Sequence, residues 1–337
     1  RDMDRLFEVF KAHNIRYFFY AGGDDSQDTN NKVHHEAIKR DYPLRCIGVP
    51  KTIDNDLPHT DHTPGYGSAT KYNATTVMEV AEDVSSMATD DGSCCIIEVM
   101  GRAAGWLAAG TVLAKRKPTD GPHIILLPEI PLDEGKFLAK VQETVYQLGY
   151  CVVVVGEGVK DKDGNELGAD KSRLDSFGHP VLSGAAEALG EIVHGKLELK
   201  TRTVKLGYAQ RSAAHFASQQ DVDEAIACGR AAVRAAVEGK SGFMVTIERR
   251  SDDPYVYTTG LHPLGDIALV ERTVPRDWIS EDDWLPNEKF IQYAAPLVRG
   301  RLDLPTKGGL PKFAELSRIP VEKVLAPRSP LVFPVPA

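Results

Sequence analysis

A chain of 337 residues outgrows one typical core and suits two, and with 42% hydrophobic and 26% charged residues it has the makeup of a soluble globular protein rather than a disordered one. The net charge of −8 excludes a surface built to neutralise nucleic-acid phosphates, though not a local basic pocket. Apolar runs such as Cys151-Val152-Val153-Val154-Val155 fall far short of the roughly 20 residues of a membrane span, and Arg1-Asp2-Met3-Asp4-Arg5 opens without a cleavable apolar stretch. No nucleic-acid or membrane partner is therefore expected, and cytoplasm is the expected compartment.

In chain order, Met3, Leu6, Phe7 and Phe10 fall on one face of an opening helix. An apolar run at 17–20 reads as a strand ending in Gly22-Gly23-Asp24-Asp25-Ser26, with Ser26 or Asp28 capping a helix over 29–40. A second run at 45–49 leads into Pro50-Lys51-Thr52-Ile53-Asp54-Asn55-Asp56. Ala69, Tyr72, Thr76, Val80, Val84 and Met87 then make one apolar stripe over a helix at 67–87. Strands are expected at 94–99, 123–127, 151–155, 204–208 and 243–247, and helices at 101–115, 135–148, 182–193 and 221–237. From residue 274 the sequence turns Pro-punctuated and weakly periodic, with Trp278 and Trp284, and reads as a C-terminal extension packed on the body.

Alternation of this kind implies an α/β fold of two Rossmann-like domains, with mostly parallel sheets flanked by helices. The five cysteines form no CxxC pair and read as buried thiols. His59-Thr60-Asp61-His62 lacks the cysteines or helical glutamate of a zinc pattern.

In open parallel sheets ligands bind at the carboxyl ends of the strands. Paired glycines there let the backbone approach a phosphate, with helix N–H groups facing it, and Asp24 and Asp25 suit magnesium held partly through phosphate oxygens. If the segment 52–56 is extended, Thr52, Asp54 and Asp56 point to one side. One carboxylate then takes a hydroxyl proton while the other helps place the metal, and Lys51 adds a fixed positive charge. Met100-Gly101-Arg102, Gly156-Glu157-Gly158 and Gly207-Tyr208-Ala209-Gln210-Arg211 each follow an expected strand and bring arginines that match phosphate oxygens and a glutamate for sugar hydroxyls.

Taken in this order over 17–211, the segments resemble the 6-phosphofructokinase family. The resemblance implies phosphoryl transfer to the 1-hydroxyl of fructose 6-phosphate, with Asp54 as general base aided by Lys51 and Arg102, and Mg²⁺ attended by Asp24 and Asp56. Thr52, Met100, Gly101, Arg102, Glu157, Tyr208 and Arg211 would hold the sugar phosphate. Arg202 would reach in from a neighbouring subunit, so that a homodimer shares its sites. Gly23, Asp25, Ser26 and Lys51 would meet the donor. ATP-using relatives carry glycine at the positions of Asp25 and Lys51, and two charged side chains there resemble the pyrophosphate-dependent branch. The implied layout is a donor domain over 1–66 and 211–273, a sugar domain over 67–210 and an extension over 274–337. Two features depart from the family: a helix precedes Tyr17 in place of a glycine-rich strand, and Ser93 stands where bacterial ATP-using relatives place an arginine. Competing readings are an ATP-dependent phosphofructokinase, an enzyme of the NAD kinase type, which shares only the Gly-Gly-Asp turn, and a non-catalytic sugar-phosphate-binding subunit.

Overall fold

The computed structural model describes residues 2–174, 180–182, 184–267, 270–280 and 284–327. Helix α1 (Asp2–Ala12) leads to β1 (Tyr17–Gly22), α2 (Asp24–Lys39), β2 (Arg45–Pro50) and the long α3 (Tyr66–Ser86). Then follow β3 (Ser93–Val99), α4 (Trp106–Gly110), β4 (Ile124–Leu126), α5 (Glu134–Leu148) and β5 (Tyr150–Gly156). A hairpin of β6 (Ala169–Leu174) and β7 (Pro180–Leu182) precedes α6 (Ala185–Leu197), β8 (Lys200–Lys205) and the one-turn α7 (Ala209–Ser212). The chain continues through α8 (Gln219–Val237), β9 (Phe243–Asp252), β10 (Tyr255–Pro263), α9 (Glu288–Ala294) and a short hairpin of β11 (Thr306–Lys307) and β12 (Leu310–Pro311).

Two four-stranded sheets result, in the orders β1-β2-β9-β10 and β4-β5-β3-β8. Every pairing in the second is parallel, and its central strands are buried on both faces. That burial explains their unbroken apolar sequence. Alternate residues serve opposite layers: Cys95 and Ile97 of β3 pack in one cluster with Val77 of α3 and Leu107 of α4, while Cys94 and Ile96 pack in another with Phe137 of α5 and Leu189 of α6. In the first sheet Cys46 packs with Phe7, Phe10 and Val33, and Ile47 with Cys228 and Ala232 of α8.

The structure differs from the sequence reading in several places, among them the helix expected at 101–115, of which only Trp106–Gly110 is α-helical and Thr111–Ala114 is a 3-10 turn. Helix α2 begins at Asp24 rather than 29, because Gly23 itself serves as the N-cap without a side-chain bond. The strand at 243 runs twice the expected length and turns back antiparallel as β10, whose burial alternates only weakly. The expected strand at 204–208 is displaced to Lys200–Lys205. The segment from 274 divides: Val274, Ile279, Phe290, Tyr293 and Leu297 join the core around Trp106, whereas residues 305–324 are exposed throughout. Among the described residues no helix is long and apolar enough to cross a membrane.

Candidate active site

Strands β1 and β2 end in register, Gly22 opposite Pro50, so the two acidic segments leave the sheet side by side. The Lys51 N–H donates to the Gly22 carbonyl at 3.2 Å. Buried Gln27 braces both segments, its Nε2 donating to the carbonyls of Gly22 at 2.9 Å and Val49 at 3.2 Å. A Cβ on Gly22 would lie 2.1 Å from Ser26 Oγ, so the tight approach of strand and helix requires glycine there. Asp24 and Asp25 therefore sit in the first turn of α2, where the helix dipole favours negative groups.

The segment 52–56 is not extended. Thr52 Oγ1 accepts from the Asp54 N–H at 3.1 Å and lies 3.4 Å from Asp54 Oδ2, and Asn55 adopts the left-handed conformation at φ 57°. A threonine hydroxyl bonded to the backbone two residues on turns the chain locally, which strand periodicity does not anticipate. Thr52, Asp54 and Asp56 nevertheless line one cleft, together with Gly23, Asp24, Asp25, Ser26, Arg102 and Glu271. Burial pushes the Asp54 carboxyl up, against the opposing pull of Thr52, Arg211 and Lys51. Asp56 is pushed to about 6 by burial and by the charges of Asp54, Glu271 and Asp24.

Strands β3 and β5 likewise end in register, Val99 opposite Gly156. Gly101, at φ 128°, donates its N–H to Glu157 Oε1 at 3.4 Å, and the Glu157 N–H returns to the Val99 carbonyl at 3.0 Å. The Met100 N–H donates to Oε1 of Gln210, which also accepts from Asn73 Nδ2. Gln210 is buried inside the Gly-Tyr-Ala-Gln-Arg motif, leaving Tyr208 and Arg211 exposed, with the guanidinium 5.5 Å from the Tyr208 ring centre. Glu157 is pushed up by burial and by the charges of Glu98 and Asp54. The charge of Asp54 acts on Glu157 and that of Arg211 on Asp54, so the segments that follow β2, β5 and β8 influence one another electrostatically.

Arg202 stands apart from this cleft. It lies within β8, paired with Cys95 rather than at a strand end, and its charge acts on the Cys95 thiol. His59 and His62 do not converge on a metal: His59 stacks on His262 with ring centres 3.8 Å apart, and His62 is buried between carboxylates. Asp56 Oδ1, by contrast, is buried without a hydrogen-bond partner among other cleft carboxylates, an arrangement that fits a hard divalent cation. Among the described residues no three ligand side chains form a cage of their own.

Sequence reasoning missed Gln27, Gln210, Glu271 and Arg272. The Arg272 guanidinium donates to the carbonyls of Asn55, Thr60 and Asp61 and lies 4.6 Å from the Trp106 ring centre, fastening the acidic loop from a segment some two hundred residues away. Long-range contacts of this kind carry no local pattern.

The phosphofructokinase family profile matches residues 1–236. The pyrophosphate–fructose 6-phosphate 1-phosphotransferase of Halomonas elongata is 46% identical over 322 residues, 96% of this chain and 77% of its own length. The protein of the same name from Xanthomonas campestris pv. campestris is 45% identical, covering 96% and 77%. A crystal structure of the pyrophosphate-dependent phosphofructokinase from Marinobacter aquaeolei superposes with a TM-score of 0.87 at 42% identity, over 96% of this chain and 78% of that one. With its two sheets, their shared cleft and these relatives agreeing, the chain belongs to the phosphofructokinase family.

Proposed function

We propose that this chain catalyses the reversible, Mg²⁺-dependent transfer of a phosphoryl group from pyrophosphate to the 1-hydroxyl of fructose 6-phosphate, giving fructose 1,6-bisphosphate and phosphate. The observation that carries this reading is the cleft itself, which Asp54, Asp56 and Asp24 line together with Arg102 at the ends of parallel strands of the two sheets. Relatives named for this activity span 96% of the chain.

Asp54 is the general base. Its carboxylate takes the proton of the sugar 1-hydroxyl as that oxygen forms a bond to the terminal phosphorus, while the bridging P–O bond breaks and phosphate leaves. Burial raises the affinity of Asp54 for that proton. Asp56 and Asp24 hold Mg²⁺, which when bound neutralises phosphate charge. Arg102 and Lys51 add positive charge to the transferring group, and the first-turn N–H groups of α2, with Gly23, Asp25 and Ser26, bound the donor pocket. Thr52, Met100, Gly101, Glu157, Tyr208 and Arg211 orient the sugar phosphate. Arg202, remote from its own cleft, serves the cleft of a partner in a cytoplasmic homodimer.

Donor choice rests on Asp25 and Lys51. A carboxylate at the head of α2 repels the α-phosphate of ATP, whereas pyrophosphate ends before reaching it. Initial rates with fructose 6-phosphate and Mg²⁺ and either donor test the reading. Turnover with pyrophosphate and none with ATP is expected, and turnover with ATP alone overturns the donor assignment.

A further inference from the structure

Beneath the acidic loop lies a polar cluster with no part in the chemistry above. The His62 ring is buried, with Nδ1 2.7 Å from Asp61 Oδ2 and Nε2 2.6 Å from Glu224 Oε2 of α8. Facing a carboxylate at each nitrogen, the ring donates at both. Asp61 also accepts from Nε and Nη2 of Arg249, and Glu224 Oε1 accepts from the Tyr255 hydroxyl at 2.6 Å and Gln220 Nε2 at 3.1 Å. The backbone carbonyl of Asp61 accepts from the Tyr293 hydroxyl at 2.9 Å, and that hydroxyl accepts from Asn55 Nδ2 at 2.8 Å. Asn55 sits between Asp54 and Asp56, and Arg272 ties its carbonyl to that of Asp61.

We propose that His62 is a positioning residue for phosphoryl transfer: by clamping Asp61 to Glu224 it anchors, through Tyr293 and Asn55, the turn that aims Asp54 and Asp56. The inference rests on the reading of those two carboxylates as the reacting pair. Burial pulls the His62 imidazole down, but the two carboxylates outweigh it and the net shift is upward. The cluster thus keeps its charge where an isolated buried histidine would lose it. A displacement of the turn by about 1 Å suffices to cost roughly 100-fold in rate, so a remote clamp is read in kcat more than in KM.

His62→Gln keeps the volume but presents an amide oxygen to one of the two carboxylates. The expected result is a kcat lowered about 10- to 100-fold, KM for fructose 6-phosphate and pyrophosphate within about 3-fold, and faster hydrogen exchange at 52–56 with the β3–β5 amides unchanged. His62→Gln/Glu224→Gln restores complementary donors and acceptors and is expected to recover most of the loss. Where His62→Gln does not fold, Tyr293→Phe removes the hydroxyl link alone and carries the same expectation. Unchanged kcat and exchange in a folded variant, or exchange raised uniformly through the chain, overturns the proposal. Exchange at 52–56 needs no turnover, so an inactive wild type refutes the assigned reaction and with it the catalytic purpose, while the anchoring of the turn by His62 is decided by exchange alone.

Discussion

A Cβ placed on Gly158 would lie 1.7 Å from the backbone carbonyl oxygen of Arg102, so the Gly-Glu-Gly and Met-Gly-Arg motifs are packed backbone to backbone. No side chain fits, and the atom in the way is not a flexible end that swings aside. Gly158→Ala is expected to destabilise the protein by about 2–4 kcal/mol and to displace Arg102 from the cleft. Gly23→Ala is the control: its Cβ meets Thr52 at an ordinary 3.6 Å, and the cost is about 1 kcal/mol from the weaker cap. Urea unfolding of both variants checks the contrast.

Asp56 ionises against burial and three neighbouring carboxylates, which raises its pKa to about 6. A raised carboxyl pKa stabilises the fold below the unfolded value, near 4, and that contribution is lost as pH rises through about 6. At pH 7.5 the metal-free wild type therefore carries a penalty of at most about 3 kcal/mol that Asp56→Asn lacks. The variant is expected to melt a few degrees higher at pH 7.5, the gain shrinking toward zero below pH 4, while turnover is lost. Thermal melts in chelator at the two pH values decide it, and a variant that melts lower at pH 7.5 contradicts the assignment.

With Asp56 in the proposed metal site, Mg²⁺ would bind the ionised form and so compete with protons at this carboxylate. Thermal stabilisation of the wild type by Mg²⁺ and pyrophosphate is expected to weaken as pH falls through about 6. Replacement of Asp56 by Asn should flatten that pH dependence. Equal stabilisation of wild type at pH 5 and 7.5 would remove Asp56 from the metal site.

The strand runs at 45–49 and 151–155, the existence of α3 and the polar segments after each strand were legible because burial on both faces and helical spacing leave local marks. The stripe read on α3, however, was rotated off its buried face: of its six residues only Ala69 and Val84 are buried, the face being Tyr66, Ala69, Asn73, Val77, Ala81 and Val84. The order of those segments also pointed to the family that the profile match shows. The turn at 52–56 was not legible, because a hydroxyl-to-amide bond overrode the period-two pattern. Helix α2 began five residues before its expected start since Gly23 caps without a polar side chain. The C-terminal segment hid Phe290 and Tyr293, core residues around Trp106, because a 7-residue helix is too short to show a stripe. The fastening of Asn55 by Arg272 and Tyr293 depends on tertiary packing alone.

Asp54 lies within a hydrogen bond's reach of Thr52 and senses Lys51 and Arg211. A residue with the proposed role of base acts in the transition state, so its removal should leave ground-state binding in place. Asp54→Ser is expected to lower kcat by about 10²- to 10⁴-fold with KM for fructose 6-phosphate within about 3-fold. Steady-state rates alongside calorimetric titration of the sugar phosphate separate the two effects. Activity equal to wild type refutes the base role.

The donor assignment makes opposite demands on two neighbouring positions. Lys51 is exposed, precedes the cleft-lining Thr52 and contributes charge felt by Asp54, so on the proposed donor role its loss should weaken the grip on a small tetra-anion more than on a sugar phosphate held elsewhere. Lys51→Gly is expected to raise KM for pyrophosphate about 10- to 100-fold and to leave KM for fructose 6-phosphate near wild type. Asp25 stands in the first turn of α2, and on the proposal that it acts by exclusion Asp25→Gly should admit the α-phosphate of ATP and bring measurable ATP-dependent turnover, while pyrophosphate use falls. Combining both changes should shift the ratio of kcat/KM for ATP over pyrophosphate further than either alone. Pyrophosphate kinetics unchanged in both single variants would place donor selection elsewhere in the cleft, with Ser26 and Thr52 next to be tested.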